Sequence, residues 1–209
     1  MIFKDSMIDS LRLIVKNKLS EKRYIHTIGV QEMAKHIGDI ILPERVDELC
    51  VAALLHDITK ELAYEEQLKL LDGADIALSN EDLDTAPALH SISAIPFIRA
   101  AYTEYVTPDI LSAVFNHTLG KDNMSVFDEI IFISDYIEIG RTYTSCIEVR
   151  DYLLNNISPK NSCEDNLNFL HKATLMAIEY TISSLKKRGE KIHSKTYLTK
   201  AYFESVIKS

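Results

Sequence analysis

The chain has 209 residues, of which 46% are hydrophobic and 26% are charged, and its formal net charge at pH 7 is −8. This length and composition predict one folded domain and argue against extensive disorder. The acidic balance is the opposite of that of a general nucleic-acid binder, so we expect no nucleic-acid polymer as a partner. Activity on a phosphate compound would need local positive charge from metal ions or from a few lysines and arginines.

The cysteines indicate the compartment in which the protein works. Cys50, Cys146 and Cys163 are widely spaced and form no CxxC pair, and an odd number of such residues indicates a reducing compartment. The charged N-terminal residues do not resemble a signal peptide, and no apolar run approaches the roughly 20 residues that cross a bilayer. We therefore expect a cytoplasmic protein that does not associate with a membrane.

Apolar residues recur at helical spacing along most of the chain, while glycine and proline are scarce, at 6 and 5 residues. This pattern predicts an all-α fold in a single domain. In chain order, the predicted helices cover about residues 6–19, 20–34, 43–57, 64–71, one that carries His90, then 110–116, 127–138, 145–155 and 164–187, with a further piece after residue 191.

Some of these helices have recognisable start signals. Asp5 or Ser6 is expected to cap the first helix, and Pro43 to occupy the first position of the third. Residues 82–87 are expected to precede the helix that carries His90. Thr107, which is followed by a proline and an aspartate, is expected to cap the helix over 110–116.

The pair His56-Asp57 follows the apolar run 51–55, which predicts a buried helix. A charged pair at the end of a buried helix must be compensated by a metal, a salt bridge or hydrogen bonds. Adjacent helical residues point about 100° apart, so the pair converges on one ion only if the helix ends or distorts there. By itself the dipeptide favours a structural role, in which His56 interacts with the helix dipole and Asp57 caps the next turn.

A second signal is Asp135, which lies inside the apolar stretch 130–137. An unpaired carboxylate in such a helix would be costly or would be protonated. A lysine, an arginine or a hydroxyl group could serve as its partner, and so could a metal ion.

The chain has seven histidines, and the six other than His56 fall into two groups. Taken singly, His26, His90 and His117 are typical of histidines at the edge of a core that bond to the backbone. The others apart from His56 lie among polar neighbours and are predicted to be surface residues: His36, His171 and His193.

The order of these residues changes the interpretation. A histidine, then His-Asp, then a distant aspartate, each on its own helix, form a plausible four-point cage for a metal. Mixed imidazole and carboxylate ligands suit Fe, Mn, Co, Ni or Zn better than Mg alone. A closed site of this kind would be structural, whereas a site with open positions would hold water and substrate.

Five ordered segments carry a resemblance to a known family: Arg23-x-x-His26-x-x-Gly29-Val30, Ala53-Leu54-Leu55-His56-Asp57-Ile58-Thr59-Lys60, Leu89-His90, His117-Thr118-x-Gly120 with Met124, and Ser134-Asp135-Tyr136-Ile137-Glu138 followed by Arg141. The series resembles the HD-domain metal phosphohydrolases, and among them the bacterial YqeK-type symmetrical bis(5′-nucleosyl)-tetraphosphatases. This implies one HD-type helical bundle over residues 1–209, with core motifs at about 23–150 and C-terminal helices over 160–209 packed on it.

The resemblance also implies an activity, which is hydrolysis of diadenosine tetraphosphate to two ADP by a metal-activated water. The expected cofactor is one or two divalent transition-metal ions, iron first, with Mn, Co, Ni or Mg as alternatives. A homodimer is compatible with this family. By matching position, the implied metal ligands are His26, His56, Asp57 and Asp135.

Further residues receive roles in the same way. Catalysis is assigned to Asp57, which would orient the water or accept its proton, and to Lys60 and Arg141, which would offset phosphate charge. His90 and His117 are alternatives for a second metal site. The implied contacts to phosphate or nucleotide are Arg23, Lys60, His90, His117, Thr118 and Arg141.

The chain departs from the family pattern at three positions, where Ser91 replaces a glycine, Glu129 a lysine and Ile139 a proline. Loss of the lysine is expected to alter substrate affinity or a surface pair, and no departure removes a proposed ligand. Two other functions stay open: an HD phosphohydrolase acting on another nucleotide, and a non-catalytic HD module that binds a nucleotide and regulates a partner.

Overall fold

A computed structural model describes residues 2–76, 78–85 and 88–207. This part of the chain contains α-helices, short 3₁₀ turns and no strands, so the all-α prediction is confirmed. The helices are α1 (Asp5–Lys18), α2 (Glu21–Ile41), α3 (Val46–Leu55), α4 (Tyr64–Leu71), α5 (Asn80–Asp84), α6 (Leu89–Ala101), α7 (Pro108–Asn116), α8 (Val126–Ile137), α9 (Thr144–Asn156), α10 (Cys163–Arg188) and α11 (Ser194–Val206).

Helix α3 is the centre of the bundle. All of its residues from Asp47 to Leu55 are buried, and it packs against α1, α2, α7 and α8. A helix that is apolar on nearly every side is stable only when other helices enclose it. The C-terminal end of α3 therefore lies deep in the protein, and the chain leaves it at His56.

Most helix ends follow the expected signals. The Ser20 hydroxyl accepts the backbone N–H of Arg23 at the start of α2, and the Thr107 hydroxyl accepts that of Ile110 at the start of α7. Gly189 ends α10 in the left-handed conformation, with φ of 69°. These local hydrogen bonds are set by residue type, and the cap at Thr107 was predicted from the sequence.

Other expected ends differ. The residue that precedes α1 is Lys4, so neither Asp5 nor Ser6 caps this helix. The backbone N–H of Phe3, just before α1, donates to the carboxylate of Asp47 at 2.6 Å. This hydrogen bond connects the N-terminal residues to α3. Pro43 begins the 3₁₀ turn Pro43–Arg45, after which α3 starts at Val46, since short 3₁₀ turns often precede a helix.

Residues 82–85 precede the helix that carries His90, as expected. Asp82 belongs to the short helix α5, which is separate from α6, and Ala86 and Pro87 lie outside the described residues. Helix α5 docks on the start of α11, where Asp82 Oδ1 lies 3.2 Å from His193 Nε2 and 3.0 Å from Lys195 Nζ. His193 is therefore buried, against the prediction of a surface histidine.

His171 also differs from its predicted surface position. Its Nδ1 lies 2.9 Å from Oε2 of Glu129, a residue of α8 that is completely buried. Burial raises the pKa of Glu129, and the hydrogen bond and charge of His171 oppose that rise. The pair joins α8 to α10, so the departure at Glu129 creates a buried contact where a surface pair was one of the expectations. An effect on substrate affinity stays a prediction.

The C-terminal helices pack on the rest of the bundle. Helix α10 packs against α8 and α9, and α11 packs against α10. The cysteines are free, with Cys50 and Cys146 buried and Cys163 exposed. Among the described helices, none is both long enough and apolar enough to span a lipid bilayer.

The α5–α11 contact generates a prediction about acid stability. Burial raises the pKa of Asp82, but hydrogen bonds from Ser79 and Lys195 lower it from 3.8 to about 2 in the folded protein. A carboxylate with a depressed folded pKa stabilises the fold above its unfolded pKa, and this stabilisation is lost between about pH 4 and pH 2. Asp82→Asn should therefore lower the free energy of unfolding by about 1–2 kcal/mol at pH 7 and by less at pH 3.

Urea unfolding at both pH values measures this difference. Asp84→Asn is the control, because Asp84 forms an exposed pair with Lys191 and should contribute little. An equal effect of Asp82→Asn at pH 3 and pH 7 would contradict the interpretation.

Candidate metal centre and active site

Four ligand-type side chains meet at the buried end of α3. His26 comes from the first half of α2, Asp135 from the last turn of α8, and His56 and Asp57 from the turn after α3. His26 Nε2 lies 3.0 Å from Asp135 Oδ1 and 3.6 Å from Asp57 Oδ2, and His56 Nε2 lies 3.4 Å from the same Asp57 oxygen. The side chains of His56 and Asp57 therefore converge in the turn after α3, although the backbone of His56 keeps right-handed helical dihedrals, with φ of −56° and ψ of −40°.

The backbone fixes which nitrogen of two histidines faces the centre. His56 Nδ1 lies 2.7 Å from the carbonyl oxygen of Ala53, and His117 Nδ1 lies 2.6 Å from that of Val114. A carbonyl oxygen only accepts, so each Nδ1 carries the proton and each Nε2 keeps a lone pair. His56 Nε2 is buried and has no hydrogen-bond partner within the described part of the chain.

These contacts test whether the residues fit a cation. The carboxylate of Glu138 lies 3.1 Å from His26 Nδ1, which leaves the lone pair of Nε2 only 3.0 Å from a carboxylate oxygen of Asp135. Two electron-rich atoms at that separation repel unless a positive charge is shared between them. Without an ion, a proton on His26 Nε2 supplies this positive charge. Burial lowers the pKa of His26, but the bonds to Asp135 and Glu138 raise it to about 9.

The two aspartates stay ionised in this environment. Burial raises the pKa of both carboxyl groups, but His56 and its neighbours hold the pKa of Asp57 well below its ordinary value. His26 and Arg141 do the same for Asp135. Two imidazole lone pairs and two carboxylates therefore fit a divalent metal ion, and His26, His56 and Asp135 offer ligand atoms within 4.8 Å of one another.

A second group of ligand-type atoms overlaps these four residues at His56 and Asp57. The atoms that His56, Asp57 and His117 offer also lie within 4.8 Å of one another. Asp57 Oδ1 is 3.1 Å from His90 Nε2 and 3.5 Å from His117 Nε2, whereas its Oδ2 faces His26. Asp57 thus lies between two overlapping clusters, one at each oxygen.

Two arginines flank the centre. Arg23 Nη1 lies 2.7 Å from Asp57 Oδ2, and Arg141 Nη2 lies 2.9 Å from Asp135 Oδ1. The Nε atoms of both arginines are buried and lack a hydrogen-bond partner among the described residues. Each guanidinium therefore balances an aspartate and still has a donor available for an anion.

Lys60 and Thr118 line the side of the centre near His90. Lys60 Nζ lies 3.1 Å from His90 Nδ1, and Thr118 Oγ1 lies 3.2 Å from His117 Nε2. Burial lowers the pKa of Lys60, and it lowers the pKa of His90 to about 4. His90 is therefore neutral near pH 7.

The structure brings every predicted site residue into one contiguous cluster. Its members are Arg23, His26, His56, Asp57, Lys60, His90, His117, Thr118, Asp135 and Arg141. The cluster also opens onto a cavity of about 440 Å³ that no sequence pattern indicated. Beyond the centre its walls include Tyr143, Tyr180 and Arg188, which come from the C-terminal part of the chain.

The family follows from this fold and cluster together with a sequence match. The HD domain family model matches residues 23–140, which is more than half of the chain. The chain belongs to the HD domain family, as the motifs predicted.

Individual relatives are similar over most of the chain. A Bacillus subtilis (strain 168) protein named bis(5′-nucleosyl)-tetraphosphatase, symmetrical, is 30% identical over 185 residues, which cover 88% of this chain and 91% of the relative. A Staphylococcus aureus (strain NCTC 8325 / PS 47) protein of the same name is 29% identical over 157 residues, 71% of this chain and 75% of that relative.

A solved structure is similar as well. The crystal structure of a predicted HD superfamily hydrolase involved in NAD metabolism, from Clostridium acetobutylicum, matches with a TM-score of 0.80 and 29% identity. The match covers 94% of this chain and 96% of that chain.

The geometry predicts which substitutions remove the metal. His56→Ala and Asp135→Ala each delete one ligand-type group, and we expect both proteins to lose bound metal after purification and reconstitution with Fe²⁺ or Mn²⁺. His36→Ala is the control, since His36 is an exposed histidine of α2 outside the cluster. Elemental analysis gives the metal content, and retention of the metal by both variants would refute this ligand set.

Proposed function

We propose that this protein hydrolyses diadenosine tetraphosphate, or a related dinucleoside polyphosphate, to two nucleoside diphosphates. The observation that carries the proposal is a buried His-Asp cluster that fits a divalent ion, lies between Arg23, Lys60 and Arg141, and opens onto a cavity. Relatives that bear the name of this activity match most of the chain, which supports the same conclusion.

In this proposal one ion is held by His26, His56, Asp57 and Asp135. A second ion would be held by Asp57, His90 and His117. Imidazole and carboxylate ligands suit Fe, Mn, Co or Ni better than Mg. The resemblance to symmetrical tetraphosphatases favours iron as the first choice among them. When bound, such an ion acts as a Lewis acid and lowers the pKa of a water molecule toward neutrality.

The chain's own residues then bind and orient the phosphates. Lys60 and Arg141 lie on two sides of the cluster, and their positive charge offsets the charge that develops on phosphate oxygens during attack. The Arg23 guanidinium adds a third positive charge beside Asp57. Because Asp57 binds an ion in this proposal, its carboxylate is a weak proton acceptor and better suited to orienting a water molecule.

Symmetrical cleavage places one half of the substrate in the cavity. A volume of about 440 Å³ lies within the roughly 300–1,000 Å³ range of small-molecule pockets. Thr118, Asp135 and Arg141 lie at the end nearest the cluster, and Tyr143 supplies an aromatic surface farther out. Addition of one water molecule across the central phosphoanhydride bond releases each half as ADP.

We also propose that residues 1–209 form one HD-type unit. The motifs lie within about residues 23–150, and the packing of α10 on α8 and α9 supports a C-terminal part, over 160–209, that belongs to the same body. The walls that α10 and α11 contribute to the cavity, including Arg188 and Thr196, support a role for this part in substrate binding.

Product analysis tests the activity. Purified protein supplied with Fe²⁺, Mn²⁺ or Co²⁺ should convert diadenosine tetraphosphate to ADP alone, as separated by anion-exchange chromatography. Formation of AMP and ATP would contradict symmetrical cleavage. Tight nucleotide binding without turnover would favour a regulatory HD module instead.

The role of Lys60 generates a separate prediction. Lys60→Met should lower kcat/KM by about 100-fold, because a positive charge beside the developing phosphate charge is lost, while the metal content stays unchanged. Lys35→Met is the control, since Lys35 forms an exposed pair with Asp39 on the outer side of α2. Steady-state kinetics with matched metal loading measure the effect, and wild-type kcat/KM would exclude Lys60 from catalysis.

A further inference from the structure

Glu138, the residue that follows α8, has a buried carboxylate with two defined partners. The residue is only 3% exposed. Its Oε1 lies 3.1 Å from His26 Nδ1, and its Oε2 accepts the backbone N–H of Gly140 at 2.5 Å. Both oxygens are therefore used as acceptors, and the one directed at His26 fixes the protonated nitrogen of that ring.

Two glycines leave the space that this carboxylate fills. A Cβ atom on Gly29 would lie 2.5 Å from Glu138 Oε2, and one on Gly140 would lie 2.9 Å from the same oxygen. Gly29 lies in the interior of α2, where a glycine destabilises the helix relative to alanine. Its position three residues after His26 places the ring and the carboxylate against the same face of the helix.

Arg150, a residue of α9, fixes the backbone at Glu138 by hydrogen bonds. The buried guanidinium of Arg150 donates to the carbonyl oxygens of Ile137 at 2.6 Å, Glu138 at 2.5 Å and Arg141 at 2.7 Å. Three hydrogen bonds from one rigid group fix the segment between Asp135 and Arg141. The Glu138 carboxylate thus fits closely against Gly29 and Gly140, and Arg150 fixes the backbone that carries it.

We propose that Glu138 is a positioning residue for the metal centre, which holds the His26 imidazole with its Nε2 lone pair directed at the ion. The inference rests on the ligand role of His26 in the proposed function. A carboxylate that accepts the Nδ1–H of a ligating histidine fixes its tautomer and orientation and raises its basicity, and loss of such a partner typically costs 10–100-fold in metal affinity.

The substitution Glu138→Gln tests this role with little change in shape. A glutamine offers one acceptor oxygen where the carboxylate offers two, so either the His26 ring N–H or the Gly140 N–H must face an amide NH₂ group. We expect the affinity of the metal-free protein for Mn²⁺ or Co²⁺, measured by competition with a chromophoric chelator, to fall 10–100-fold. The visible absorption spectrum of bound Co²⁺ should also change, because the ring orientation changes.

Glu129→Gln is the matched control. Glu129 lies on α8, which Glu138 directly follows, is completely buried, and contacts Nδ1 of a histidine, His171, that lies outside the metal cluster. This variant should bind Mn²⁺ and Co²⁺ with wild-type affinity even if its melting temperature falls. Equal losses of affinity in the two variants would mean that Glu138 acts only through stability.

Gly29→Ala provides an independent test that leaves Glu138 in place. Its added methyl group must displace the carboxylate, so metal affinity should fall as it does in Glu138→Gln. Gly38→Ala, on the same helix, would crowd the side chain of Leu49 instead and controls for the general effect of overpacking α2. Circular dichroism and thermal unfolding establish that each variant is folded.

His26→Ala separates failure of this inference from failure of the proposed function. If His26→Ala loses the ion while Glu138→Gln and Gly29→Ala keep wild-type affinity and spectrum, the positioning role is wrong and the ligand set stands. If His26→Ala itself binds the ion normally, both the ligand set and the role of Glu138 are overturned.

Discussion

The structure depends on one buried carboxylate, that of Asp57, at the end of the central helix α3. Such a group is stable away from water only because positive or hydrogen-bonding partners surround it, here Arg23 and the histidines that face its two oxygens. These partners come from α2, α6 and α7 and from the turn after α3 itself. Compensation of this one charge therefore requires side chains from several helices, and these side chains meet around Asp57 at the metal centre.

The structural and the metal-binding interpretations of the histidines turn out to be compatible. His56 and His117 each donate Nδ1–H to a carbonyl three residues earlier, at the end of α3 and of α7. A bond of this kind, expected of a core-edge histidine, leaves the opposite nitrogen with a free lone pair. Each helix end thereby leaves one nitrogen of its histidine able to bind an ion, so a histidine that stabilises the fold also suits the proposed ligand role.

Around the centre, the features that the sequence did not predict are contacts between distant parts of the chain. Asp82 meets His193, and Glu129 meets His171, so two histidines with polar neighbours in sequence are shielded by helices that pack later in the chain. Glu138 was visible within a motif, but its role depends on the gap that Gly29 leaves on another helix. Pairings of this type depend on how helices cross, which local residue pattern does not specify.

The sequence by itself determined the helical class, most helix ends, the HD family and the set of residues that form the centre. These follow from spacing and residue type, such as Ser20 and Thr107 at helix starts and the order of His26, His56-Asp57 and Asp135. Only the tertiary structure decided which oxygen of Asp57 faces which histidine, that Glu138 supports His26, and that a cavity walled by the C-terminal helices adjoins the site. The physical reason is that tautomers, buried charge pairs and cavities arise from contacts between helices far apart in the chain.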